Sequence, residues 1–206
     1  MLTNNTKVSM LQSESILAIA GKALWGMALM TVILGMFYPV MMTGLAKCLF
    51  PRQSTGSILT VDGKTVGSVI IGQDFSKTPY FQSRPSATVT PYDAAGSTGT
   101  NFGASNEKLI QQVRERAKFW QQLTGSAAKV PSDLLTSSSS GLDPHISLAA
   151  AHYQVLVVAR KTGLTPEELN KLIDAHVENG LFGGPEYVNV LALNLDVQKL
   201  HRAKTK

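Results

Sequence analysis

The sequence predicts a single N-terminal transmembrane helix carrying a small α+β soluble domain. Three features predict it: an uncharged apolar run at residues 23–46, an alternating β-rich stretch just after it, and segments of helical periodicity beyond residue 105. Charged residues are 16% of the 206, against about 25% in ordinary soluble domains, and they are not spread evenly along the chain. One Cys excludes a disulfide framework and any Cys-based zinc cluster. The net charge of +5 comes without a dense Lys/Arg stripe, so nucleic acid is not implied as a partner.

In chain order, residues 1–22 form a short N-terminal segment, 23–46 the membrane helix and 47–206 the soluble domain. Ala23 to Ala46 contains no charge and is bracketed by Lys22 and Lys47. At about 1.5 Å per residue such a helix covers roughly 36 Å, enough for a hydrocarbon core of about 30 Å. Trp25 suits an interface, and Pro39 is expected to kink the helix. A secretory signal peptide has a shorter apolar region and a small-residue cleavage site. Here Ala46 leads into Lys-Cys-Leu-Phe-Pro, which favours an uncleaved anchor. Lys7 and Lys22 precede the run while Lys47, Arg52 and Lys64 follow it, so the positive-inside rule leaves orientation open.

Ser57–Val61 and Val66–Ile71 flank Asp62-Gly63, the signature of a type I′ hairpin. Gly63-Lys64-Thr65 lacks the upstream Gly of a phosphate-binding loop, because position 58 is Ile. Residues 79–105 show turn chemistry without a period, and their aromatic residues (Tyr80, Phe81, Tyr92, Phe102) predict a loop docked on the domain. Asn106 to Gly125 reads as a helix with Leu109, Ile110, Val113, Ala117 and Trp120 on one face. Val130–Gly141 is a second irregular stretch containing four consecutive serines. Asp143-Pro144 reads as N-cap and N1 of a helix running to Lys161. Thr165-Pro166-Glu167-Glu168 is a capping box that opens a further helix. Val188 to Leu193 suggests a strand, and the tail from Asn194 a basic helical turn.

Little catalytic chemistry is visible. His145 and His152 lie seven apart without a convincing third metal ligand. Ser140, Asp143 and His145 lie close in sequence, but no Gly-x-Ser-x-Gly elbow exists. Neither a Walker A motif nor an Asp-Lys-Thr-Gly phosphorylation run occurs, so the chain alone does not hydrolyse ATP by those routes. Cys48 reads as a packed interfacial thiol, and Arg84 as the partner of a nearby carboxylate. Ser138, Ser140 and Gly141 ahead of a helix, with Gln154 further on, are residue types that bind phosphate oxygens. No catalytic or metal residue is assigned.

The chain resembles the C subunit of the Kdp potassium-transporting P-type ATPase over nearly its whole length. The blocks that carry the likeness include Tyr38-Pro39, Thr43-Gly44, Gly67-Ser68 and Tyr80-Phe81-x-x-Arg84-Pro85-Ser86-Ala87. Further on come Val130-Pro131-x-Asp133-Leu134, Ser140-Gly141-Leu142-Asp143-Pro144, Gln154 and Val188-Asn189-Val190-Leu191-x-Leu193-Asn194. Val157 and Thr162 stand where the family usually has Arg. The resemblance implies a non-catalytic, single-span accessory subunit of the inner membrane with its domain on the periplasmic side. It implies three partners: a channel-like K⁺-binding subunit, an ATP-hydrolysing subunit and a small membrane peptide. It also implies help in assembly, and a nucleotide (ATP) contact that would fall at Ser138, Ser140, Gly141 and Gln154. Two alternatives stay open: a membrane-anchored serine hydrolase using Ser140 or Ser86, and a nucleotide-sensing module.

Overall fold

A computed structural model describes residues 15–180 and 183–205. The chain divides after Thr55 into two compact units, each described by itself.

The first unit is a helical run from Ile16 to Leu49 with mean hydropathy 1.9 in its most apolar window, long and apolar enough to cross a membrane. Helix α1 spans Ile16–Val32 and α2 spans Tyr38–Leu49. Between them Ile33–Phe37 forms one π-helical turn, closed by the Tyr38 N–H donating to the Ile33 carbonyl. Pro39 explains the widening. It has no N–H to give the Gly35 carbonyl, and its ring crowds that position; a π turn accommodates both without ending the helix. The expected Pro39 irregularity therefore takes the form of a π turn that ends two residues upstream, at Phe37. The helix also outruns the uncharged segment at both ends, taking in Ile16–Lys22 and Lys47–Leu49. Ser15 starts it by accepting from the Ala18 N–H. Of the predicted N-terminal segment, residues 1–14, including Lys7, lie outside the described residues.

The second unit opens with the hairpin β1 (Ile58–Val61) and β2 (Lys64–Ser68). Val61 pairs with Lys64, and the two turn residues Asp62 and Gly63 have φ of 50° and 75°. Positive φ at both is the type I′ geometry expected from the Asp-Gly pair. The second strand begins earlier and ends at Ser68 rather than Ile71, and a bulge within it leaves Val66 out of register. The Val66 carbonyl instead accepts from Gln73 Nε2 at 3.1 Å.

No helix or strand occurs between Ser68 and Glu107. Helix α3 then covers Glu107–Thr124, capped by Asn106 and stopped by Gly125 in the left-handed region, as expected. The next expectation fails. Asp143-Pro144 does not start a helix: His145–Ser147 is strand β3, and Ser147 caps helix α4 (Leu148–Thr162). Ile146 lies opposite Val188, and both are buried, so a tertiary strand partner overrides a good local cap. Helix α5 (Pro166–Ala175) carries the predicted capping box. Strand β4 (Val177–Gly180) was not expected. Strand β5 (Gly184–Asn189) ends sooner than predicted, and helix α6 runs from Val190 to Thr205. Val190, Leu191, Leu193, Asn194 and Val197 are its buried residues, and 190, 193, 194 and 197 follow the 3–4–7 spacing of a helix and not the alternation of a strand.

The sheet is antiparallel in the order β3-β5-β4. One core joins it to the helices through Phe81, Trp120, Leu134, Ile146, Val158, Leu169, Ile173, Val188, Leu193 and Val197. Asn189 ties the hairpin end to this core: its Nδ2 donates to the Val69 carbonyl at 2.7 Å while its Oδ1 accepts from Ala192 at the start of α6.

Candidate functional site

The long irregular stretch after β2 poses a problem of backbone satisfaction. Phe81 is completely buried without a ladder partner, and a buried main chain must find partners elsewhere. Two amide side chains supply them. The Phe81 N–H donates to Asn194 Oδ1 at 2.9 Å, and Asn194 Nδ2 donates back to the Phe81 carbonyl at 2.9 Å. At the next residue the Gln82 N–H donates to Gln154 Oε1 at 2.7 Å, and Gln154 Nε2 returns a bond to the Gln82 carbonyl at 3.2 Å. Each amide thus imitates a neighbouring β-strand, one from α6 and one from α4. Gln154 Nε2 also donates to the Ala150 carbonyl of its own helix.

The serine-rich stretch is stitched to the same loop. Ser86 Oγ donates to the Gly141 carbonyl at 2.8 Å, and the Thr98 N–H donates to the Ser140 carbonyl at 3.0 Å. Arg84 Nη1 meets Asp143 Oδ2 at 3.1 Å, the carboxylate pairing expected of a lone Arg. Burial pushes the Asp143 carboxyl up. Hydrogen bonds from His145, helped by Arg84, outweigh this and hold it below its ordinary range. Gly141 has φ of 66°, and a Cβ there would lie 2.7 Å from the Thr98 carbonyl oxygen, so the crossing admits only Gly.

The four residues singled out for nucleotide contact fall in different places. Ser138 and Ser140 line a groove of about 650 Å³ together with Arg84 and Asp143. Their hydroxyls are 3.3 Å apart and serve the local turn: Ser138 Oγ accepts from the Gly141 N–H, and Ser140 Oγ from the Leu142 N–H. Gln154 lines a separate cavity of about 230 Å³ and holds Gln82. Ser86, the other candidate nucleophile, accepts from the Thr88 and Tyr92 N–H groups. Cys48 is exposed. His145 sits in β3 and His152 is on α4 against Asn170. Among the described residues no three of His, Cys, Asp or Glu are grouped to hold a metal ion.

Sequence reasoning passed over Asn194 as a working residue. The available signal was a polar amide at a buried helical position, between Leu193 and Val197 on α6, just as Gln154 sits between Ala150 and Val158 on α4. An amide in such a place must be satisfied by main chain or by another amide. It also passed over Arg116 and its cavity.

The fold and these contacts define a class: an α+β domain behind one membrane-length helix, whose buried polar side chains hold its own main chain in place. A family model described as K⁺-transporting ATPase, c chain (KdpC), matches residues 20–199. The potassium-transporting ATPase KdpC subunit of Variovorax paradoxus is 49% identical over 172 residues, which is 82% of this chain and 89% of that one. Those of Pectobacterium atrosepticum and Caldanaerobacter subterraneus subsp. tengcongensis are 47% and 48% identical, over 81% of this chain and 89% and 87% of theirs. The chain belongs to the KdpC family.

Proposed function

We propose that this chain is a non-catalytic accessory subunit of an ATP-driven potassium import complex, in which it assists assembly and stability. The carrying observation is the family match across residues 20–199, which takes in both the apolar helix and the domain. The relatives are named as subunits of a potassium-transporting ATPase. The internal geometry supports an assembly role. Arg84, Asp143, Gln154 and Asn194 fix the domain's own loops, and the helix exposes apolar side chains along its length. On this reading the helix spans the inner membrane once, and the domain lies on the periplasmic side. The partners are a channel-like K⁺-binding subunit, an ATP-hydrolysing subunit and a small membrane peptide.

Affinity purification of the tagged chain from its own membrane in mild detergent tests this. Those three partners should co-purify, and deleting the chain should abolish K⁺-stimulated ATP hydrolysis in that membrane. A chain that purifies alone, with transport intact after its deletion, would refute the reading. For topology, an impermeant thiol reagent added to intact spheroplasts should label a Val89→Cys variant, since Val89 is fully exposed.

The nucleotide contact at Ser138, Ser140, Gly141 and Gln154 is a finer part of the same reading. It needs Gln154 to release Gln82, or ATP to meet the serine groove alone. Binding of labelled ATP to the full chain that is lost in Gln154→Ala and in Ser140→Ala would favour one shared site. Loss in Ser140→Ala alone would favour the groove.

A further inference from the structure

Of the residues lining the cavity of about 230 Å³ between α3, α4 and the loop after β2, only Gln154 and its partner Gln82 enter the function proposed above. Its floor is apolar and deeply buried: Trp120, Leu134, Val157 and Val158 are each no more than 5% exposed. An apolar cavity of about 150 Å³ already admits benzene, so this one holds a ring or a short acyl chain with room for a polar head. It falls below the roughly 300–1,000 Å³ of pockets for drug-sized ligands.

Two cations, Arg116 and Lys161, line the same cavity. Neither makes an ion pair among the described residues. Arg116 is half-buried and uses one donor, Nη1 to the Leu135 carbonyl at 2.7 Å, of the five a guanidinium carries. Burial lowers its pKa, and the nearby Tyr92 and Glu115 offset this only in part. Tyr92 is not an anionic partner, because burial pushes its phenol up to about 12 and keeps it neutral. Asp74 also lines the cavity, but it is exposed and accepts from the Ser76 N–H. Gln154 contributes wall only, its amide being engaged with Gln82.

We propose that this cavity binds a small organic anion, a monocarboxylate with a ring or short acyl body, its carboxylate on Arg116 and its apolar body against Trp120 and Val157.

Trp120 is one of two tryptophans, so a Trp25→Phe background makes it the sole reporter. The full-length chain in detergent micelles is titrated with hexanoate, with acetate and the neutral isostere hexanamide as controls, while indole emission is followed. Hexanoate should give a saturable change with Kd of about 1 mM, as befits so few heavy atoms, and acetate and hexanamide should bind at least about tenfold more weakly. Arg116→Gln should weaken hexanoate by about tenfold and Lys161→Gln by about threefold. Val157→Phe, which fills the cavity, should abolish the change. No saturable signal, equal binding of hexanamide, unchanged affinity in Arg116→Gln, or displacement of hexanoate by millimolar ATP would each overturn the proposal.

Discussion

Leu34 on the apolar helix is 61% exposed, whereas Leu169 and Leu193 in the domain are fully buried. The two units use one residue type in opposite ways because they answer to different solvents. Apolar side chains on Ile16–Leu49 point outward, and apart from the helix ends and the Pro39 irregularity the peptide groups pair within the same helix, which is what a bilayer requires. In the domain the apolar side chains converge, and the main chain from Val69 to Asn106 has no partner within a ladder. Its hydrogen bonds come from local turns, from distant main chain such as the Leu142 and Ser140 carbonyls and, at buried Phe81 and its neighbour Gln82, from the distant side chains of Asn194 and Gln154. The helix is a locally closed structure. The domain is held shut over long sequence separations, so single substitutions should act far more strongly there.

That contrast can be broken in order of expected effect, each time by urea unfolding of the full-length chain in micelles, followed by Trp120 emission in the Trp25→Phe background. Phe81→Ala should act most strongly, losing about 3–5 kcal/mol as a cavity opens under the docked loop. Asn194→Ala should lose about 2–4 kcal/mol, because it orphans both main-chain groups of Phe81. In a double-mutant cycle with Gln154→Ala the losses should be non-additive, since the amides grip adjacent residues. Additive losses would mean that the loop opens in separate pieces.

Asp143→Asn should lose about 1–2 kcal/mol at pH 7, by weakening the Arg84 and His145 contacts. The sign of its pH dependence follows from a folded pKa below the unfolded one. The stabilisation is complete above the unfolded value of about 3.9 and disappears as pH falls through the folded value. The parent should therefore lose stability more steeply below pH 4 than Asp143→Asn. Leu34→Ala should change domain unfolding least, by less than about 0.5 kcal/mol. A larger effect would show that the helix contributes to the stability of the domain.

Much of the fold was readable from residues that decide their own conformation. Asp62-Gly63 fixed the hairpin turn, Asn106 and Gly125 bounded α3, and Thr165 to Glu168 opened α5. The misreadings came where a distant partner outweighed a local signal. Asp143-Pro144 has good helix-start chemistry, yet Asp143 accepts from Arg84 and His145, and the chain runs on into a strand against β5. The start of α6 failed for another reason: Val190 to Leu193 is rich in β-branched and aliphatic residues, and the helical spacing shows only when Asn194 is counted as buried. For the candidate site, residue types alone grouped Ser138, Ser140, Gly141 and Gln154. Neither the placing of the two serines and of Gln154 in separate cavities nor the meeting of Arg116 on α3 with Lys161 on α4 at one cavity wall is a matter of spacing along the chain.

The sequence by itself determined a membrane-length apolar helix, the tight turn, the helix caps and the family, because each follows from residues close together or from an ordered set of motifs. Only the tertiary structure decided that Gln154 and Asn194 stand in for a missing strand and that two cations line a cavity with an apolar floor. A buried peptide group takes whichever partner the fold brings within 3 Å, and that partner can lie more than a hundred residues away, as Asn194 does from Phe81.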